Sequence, residues 1–170
     1  MRLFLSSVCV GLLAGCATPA PQVINLSTTF QPNEVAWSKE VGKNSVSGQS
    51  LMRTNGGEIR TCGGYIVTLT PDGAYARERH QYIYGNTTKG YRPIYLAKPL
   101  FNSEPPEYYQ TARQTMCDAQ GNFFFDKLPD GTYFLSAIVA WQVGYSPQGG
   151  VLMEKVTLSN GESKRLILTP

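Results

Sequence analysis

Residues 117–142, CDAQGNFFFDKLPDGTYFLSAIVAWQ, hold two turn signals and two apolar runs in one short stretch, and they constrain the fold more than any other part of the chain. Asp118-Ala119-Gln120-Gly121-Asn122 predicts a tight turn, Phe123 to Phe125 a short strand, Leu128-Pro129-Asp130-Gly131 a second turn, and Thr132 to Gln142 a long strand. Gly121 and Gly131 suit turns because they lack a Cβ and accept positive φ, and Pro129 presets the turn that Gly131 completes. Period two along the long strand puts Tyr133, Leu135, Ala137, Val139 and Trp141 on one face and Phe134, Ser136, Ile138, Ala140 and Gln142 on the other. Both faces are largely apolar, so the strand should be central and covered on each side.

Further strands follow from the same signals. Ser45 to Met52 alternates around Val46 and Leu51, Tyr65 to Thr70 is a β-branched run ending at Pro71, and Tyr108 to Met116 alternates bulky and polar residues up to Cys117. Val151 to Leu158 and Lys164 to Leu168 flank Ser159-Asn160-Gly161-Glu162, where Asn-Gly predicts a hairpin. Ala74 to Tyr84 reads as a short helix, with Asp72 near its N-cap and Gly85 beyond its end; a strand with Tyr82 and Tyr84 alternating with Ile83 is the competing reading. Many short strands separated by Gly and Pro argue for an all-β, antiparallel sandwich.

The N-terminus carries a different message. Arg2 precedes the apolar run Leu3 to Leu13, too short to span a bilayer but long enough for export, and Leu13-Ala14-Gly15-Cys16 follows. This pattern resembles the signal and lipobox of bacterial lipoproteins. The resemblance implies a signal peptide over 1–15 and acylation of Cys16, with palmitate-type chains that anchor firmly where a single chain would not. Ala17, not Asp, follows the cysteine, which in Gram-negative lipoproteins implies the outer membrane, most simply facing the periplasm. Ala17-Thr18-Pro19-Ala20-Pro21 reads as a stiff tether, so residues 16–43 are expected to be a lipid-anchored tether and N-terminal segment, and 44–170 one domain.

Cysteine usage agrees with an exported chain. Cys9 leaves with the signal and Cys16 takes lipid, so Cys62 and Cys117 remain as the pair expected to form a disulfide in an oxidising compartment. Two thiols and one histidine are too few for a structural zinc site, and no C-x-x-C is present for redox work. The formal net charge of +3 shrinks further once Arg2 is removed, and the basic residues are scattered, which argues against nucleic acid as a partner.

Ser45-Val46-Ser47-Gly48, Val67-Thr68-Leu69, Asp118-Ala119-Gln120-Gly121-Asn122-Phe123-Phe124-Phe125 and Leu128-Pro129-Asp130-Gly131-Thr132-Tyr133-Phe134-Leu135 together resemble the carboxypeptidase regulatory-like domain, a family similar to transthyretin (prealbumin) in fold. The resemblance spans about Val46 to Tyr145 and implies a seven-stranded Greek-key β-sandwich. The run from Asp72 to about Pro106 departs from it as a mixed insertion with room for one short helix. The family implies a structural or binding module, not a catalyst.

Residue chemistry also speaks against an enzyme. A hydrolase centred on His80 would need a nucleophile and an orienting acid from elsewhere, and neither G-x-S-x-G nor H-E-x-x-H occurs; His80, beside Arg77, Glu78 and Arg79, reads as a solvated polar residue. Asp118, Gln120, Asn122 and Asp126 space oxygens like part of a calcium loop, but the closing Glu is missing and turn chemistry accounts for them, so no metal or cofactor is expected.

The remaining signal is aromatic. Tyr75, Tyr82, Tyr84, Tyr91, Tyr95, Phe101, Tyr108 and Tyr109 crowd the insertion and the strand after it, either packing the insertion down or offering an interface to a protein or glycan. Tyr82, Tyr84 and Tyr91 are the candidate binding residues, Trp141 reads as core, and Trp37 as a pin holding the N-terminal segment to the domain. The expected whole is an outer-membrane lipoprotein with a non-catalytic binding or structural module for an envelope protein. A carbohydrate-binding module using the Tyr-rich insertion is the alternative, and a small hydrolase at His80 a more distant one.

Overall fold

The computed structural model describes residues 23–170, so Cys16 and the signal and tether residues before Val23 lie outside the described part. Its strands are β1 (Val23–Ile24), β2 (Asn44–Arg53), β3 (Ile59–Thr61), β4 (Ile66–Pro71), β5 (Lys89–Pro93), β6 (Leu100–Phe101), β7 (Arg113–Met116), β8 (Asn122–Leu128), β9 (Gly131–Val143), β10 (Ser146–Leu158) and β11 (Ser163–Leu168). Helix α1 spans Ala74–Tyr84, helix α2 is the single turn Pro106–Tyr109, and a 3-10 segment covers Pro32–Lys39. Among the described residues eleven strands stand where seven were expected, in part because β1, β5 and β6 come from the N-terminal segment and the insertion.

The strands form a five-stranded sheet in the order β5-β10-β9-β4-β7, and a second sheet in which β2 is flanked by β11 on one edge and by β8 and β3 along the other. The two sheets enclose the main core, where Val46, Val67, Leu69, Leu128, Leu135, Ala137, Val139, Leu152 and Leu168 are all buried. As expected, β9 is central and covered on both faces. Tyr133, Leu135, Ala137 and Val139 point into this core, while Phe134 joins a second cluster with Tyr75, Ala76, Tyr108 and Met153 under α1 and α2. The molecule is therefore three layers deep, and the insertion supplies the third.

Several local expectations change. The Asn160-Gly161 turn does form, with φ of 60° and 74°, but it does not close a hairpin: β11 crosses to the other sheet and pairs parallel with β2. The Asn44 amide explains the crossing, because it donates to the Leu128 carbonyl and Asp130 Oδ1 while its oxygen accepts the Glu162 N–H at 2.9 Å, tying the turn to the start of β2. Over Tyr108 to Met116 only Arg113–Met116 is strand. Pro106 at the helix start opens one helical turn, which buries Tyr108 and is closed by the Thr111 hydroxyl donating to the Tyr108 carbonyl.

Helix α1 has the predicted bounds and ends on Gly85 in the left-handed conformation, φ 70°. Its start differs from expectation. Asp72 does not cap it; the N-cap position is Gly73, and the Ala74 N–H is satisfied by Glu34 Oε1 from the N-terminal segment at 2.9 Å. Glu78 returns the contact, accepting the N–H and hydroxyl of both Ser27 and Thr28, and Phe30 sets its ring edge-on to Tyr75 and Tyr108. Trp37 pins the segment as expected, 5.2 Å from the Tyr133 ring and over Gly131, where a Cβ would collide with the indole. Residues 23–43 are thus docked on the domain.

The Glu78 contacts carry a pH dependence. The hydrogen bond from the Ser27 backbone and then that from the Thr28 hydroxyl pull its carboxyl from the usual 4.5 down to about 2. Because the folded value lies below the unfolded one, this stabilisation is fully present above about pH 4.5 and is lost as pH falls toward 2. Acidification to pH 3 is expected to raise hydrogen exchange at Leu26 to Phe30 before it does so in β9, and Glu78→Ala should raise it at pH 7. Unchanged protection at both would remove Glu78 as the clamp.

Candidate functional site

One end of the sandwich holds an open cleft of about 630 Å³, within the usual range for small-molecule sites. Three distant parts of the chain build it: the end of β2 with its turn into β3, strand β5, and the β9–β10 hairpin. Register explains which side chains meet there. Trp141 pairs with Gln148 across β9 and β10, and Tyr91 pairs with Leu152 across β5 and β10, so all four share the inner face of the five-stranded sheet. Toward the end of β2 the opposing sheet is reduced to the short hairpin with β3, and Trp141, Tyr91 and Gln148 are left lining the cleft.

Two glycines seat the aromatic rings. A Cβ on Gly150 would lie 2.5 Å from the Tyr91 ring, and one on Gly149 would lie 3.0 Å from the Trp141 indole; Gly149 also has φ 97°, unfavourable for any other residue. Tyr91 is further fixed by its hydroxyl donating to the Gly149 carbonyl at 3.2 Å, and burial pushes its phenol pKa up. Opposite stands the β2–β3 turn, closed by the Thr54 N–H to Glu58 carbonyl and Gly57 N–H to Thr54 carbonyl bonds. Arg60, the cross-strand partner of buried Met52, shares its face and lines the cleft with Arg53, Asn55 and Glu58.

The candidate tyrosines do not form one surface. Tyr91 lines the cleft, Tyr84 lies on the opposite face of the same sheet, where it packs over Gly90 and beside His80, and Tyr82 stands exposed on α1. Burial raises the Tyr84 phenol pKa, in keeping with a packing role. Trp141, expected in the core, is only partly buried: it packs against the core and turns to the cleft.

His80 is not solvated. It is 6% exposed, stacks on Phe134 at 4.0 Å between ring centroids, and bonds the Ala76 carbonyl through Nδ1 at 2.7 Å. Burial above all, with Arg79 nearby, pulls its pKa down to about 4 despite that hydrogen bond, so the ring is neutral at pH 7. Arg79 is buried beside it in an aromatic cage, its guanidinium 4.0 Å from the Phe101 ring and bonded to Glu104, Tyr75 and Tyr109. Burial lowers the Arg79 pKa, but the bonds to Glu104 and Tyr75 outweigh it and leave the group firmly charged. This cage anchors the insertion; it lies in the outer layer, apart from the cleft.

Asp118 spends both carboxylate oxygens on Asn122, at 2.8 and 2.9 Å, which is the turn chemistry expected there. Among the described residues no three His, Cys, Asp or Glu side chains come together as metal ligands. Cys62 and Cys117 form the expected disulfide.

No family model and no curated protein matches the chain. Among solved structures, a crystal structure of a protein from Pseudomonas aeruginosa, provisionally named a carbohydrate binding protein, superposes with a TM-score of 0.67 at 25% sequence identity. The match covers 84% of this chain and 99% of that one.

Proposed function

We propose that this protein is a non-catalytic carbohydrate-binding module of the bacterial envelope, an elaborated transthyretin-like Greek-key sandwich held by lipid on Cys16 at the outer membrane and facing the periplasm. The cleft carries the reading. Trp141 and Tyr91 are rigid aromatic faces, seated by Gly149 and Gly150, and such faces suit the C–H side of a sugar ring, whose edges are weakly positive. Asn55, Gln148 and the arginines around them supply donors and acceptors for hydroxyls. The name of the similar Pseudomonas protein supports the same ligand class.

Binding without turnover fits the residues. The chain's one histidine sits in the outer layer, and among the described residues Glu58 is the sole carboxylate lining the cleft, whereas glycoside hydrolysis ordinarily takes a pair. No cofactor is needed. An envelope protein is the second partner class, and the exposed Tyr82, Tyr95 and Leu96 of the insertion would meet it.

A glycan array followed by calorimetry tests the proposal. Trp141→Ala is expected to weaken binding about tenfold or more, the scale of a central aromatic anchor, while Tyr82→Ala leaves it unchanged. Wild-type protein that retains no sugar on the array sinks the reading, and an unaffected Trp141→Ala moves the site elsewhere.

A further inference from the structure

We infer that the cleft selects acidic sugars, with Arg53 and Arg60 receiving a uronate carboxylate while the sugar ring lies on Trp141. This inference rests on the carbohydrate reading above and adds the ligand class. Two arginines and one glutamate line the cleft, so its charge is locally positive.

The arginines are prepared for an incoming anion in different ways. Arg53 takes part in none of the ion pairs among the described residues, and its Nη1 donates to the Gly57 carbonyl at 3.0 Å. That bond orients the guanidinium on the closed β2–β3 turn and leaves the other nitrogens of its fork without a carboxylate. A guanidinium fork matches the two oxygens of a carboxylate, which an ammonium does not. Arg60 pairs with Glu58 at 2.5 Å, but both side chains are solvent-accessible, 46% and 66%, so the pair is worth little and a ligand carboxylate can share the arginine. A neutral sugar would use neither positive charge, whereas a uronate places its carboxylate on the ring edge, beside the stacked face.

Calorimetry with tetragalacturonate and with its fully methyl-esterified form isolates the charge, since the two share a backbone. Wild-type protein should bind the acid about fivefold more tightly than the ester, with the preference shrinking as salt is raised. Arg53→Gln, an exposed position whose loss should not disturb folding, should weaken acid binding more than ester binding and so abolish most of that preference; Arg60→Gln provides the second variant. Equal affinity for acid and ester overturns the inference and leaves the carbohydrate reading intact. A preference that survives in both variants overturns the assignment to these arginines. Binding of neither form also overturns it, and the carbohydrate reading is then decided by the array comparison with Trp141→Ala.

Discussion

Replacing Cys62 and Cys117 together by Ala is expected to lower the melting temperature by roughly 8–16 °C, read by differential scanning calorimetry and matched by reduction of the wild type. The two cysteines are 55 residues apart in sequence and 0% and 3% exposed. Closing a loop of that length restricts the unfolded chain by ~4 kcal/mol on the chain-entropy account. The position of the bridge adds to its leverage. Cys62 follows β3 in one sheet and Cys117 follows β7 at the edge of the other, so the bond staples the two sheets together and closes a loop that contains the whole insertion. The neighbouring backbone depends on it: the Cys62 N–H donates to the Ser50 carbonyl, and the Cys117 N–H to that of Tyr65. A shift below about 3 °C would mean that the unfolded chain keeps these segments together without the bond.

That staple was legible because the export-like N-terminal pattern and the cysteine count both point to it, and the same kind of local signal made β8, β9 and α1 legible. Gly85 past Tyr84 and the two apolar faces of Thr132 to Gln142 are statements about a few neighbouring residues, and the fold keeps them. The departures arise where the deciding contact is remote in sequence. Asn160-Gly161 specifies a tight turn, but whether the next strand returns to β10 or crosses to β2 depends on Asn44, more than a hundred residues earlier. Likewise the helix start at Ala74 is capped by Glu34, which no local window contains. The aromatic surplus of the insertion was visible, but its division between packing and exposure was not. Tyr84 and Tyr91 are separated by the two faces of one sheet, a matter of register between β5 and β10. Arg53, Arg60 and Trp141 gave no joint signal, since the cleft exists only in the folded chain, where it brings together three separated segments.

The outer layer should be the most sensitive to Phe134→Ala, with an expected loss of about 3–5 kcal/mol, the usual cost of deleting a buried aromatic ring. Phe134 is 0% exposed and sits at the join between the five-stranded sheet and the insertion, with His80 stacked on its ring and Lys155 Nζ 4.9 Å from its centroid. Since His80 is the chain's one histidine, its titration followed by NMR reports on this join without overlap from other imidazoles. In the wild type its pKa of about 4 lies below the ordinary 6.5, so the unfolded chain binds the proton first, and stability is lost as pH falls from 6.5 toward 4. Removing the Phe134 ring admits water to the imidazole, so in a folded variant the His80 pKa should rise toward 6.5 and that acid loss should shrink. Hydrogen exchange should quicken in α1 ahead of β8, because α1 rests on the second cluster and β8 on the first. An unshifted His80 in a folded Phe134→Ala protein would mean that α1 itself, not the stacked ring, excludes water from it. Uniform loosening of both layers would mean that the sandwich cannot hold without its third layer.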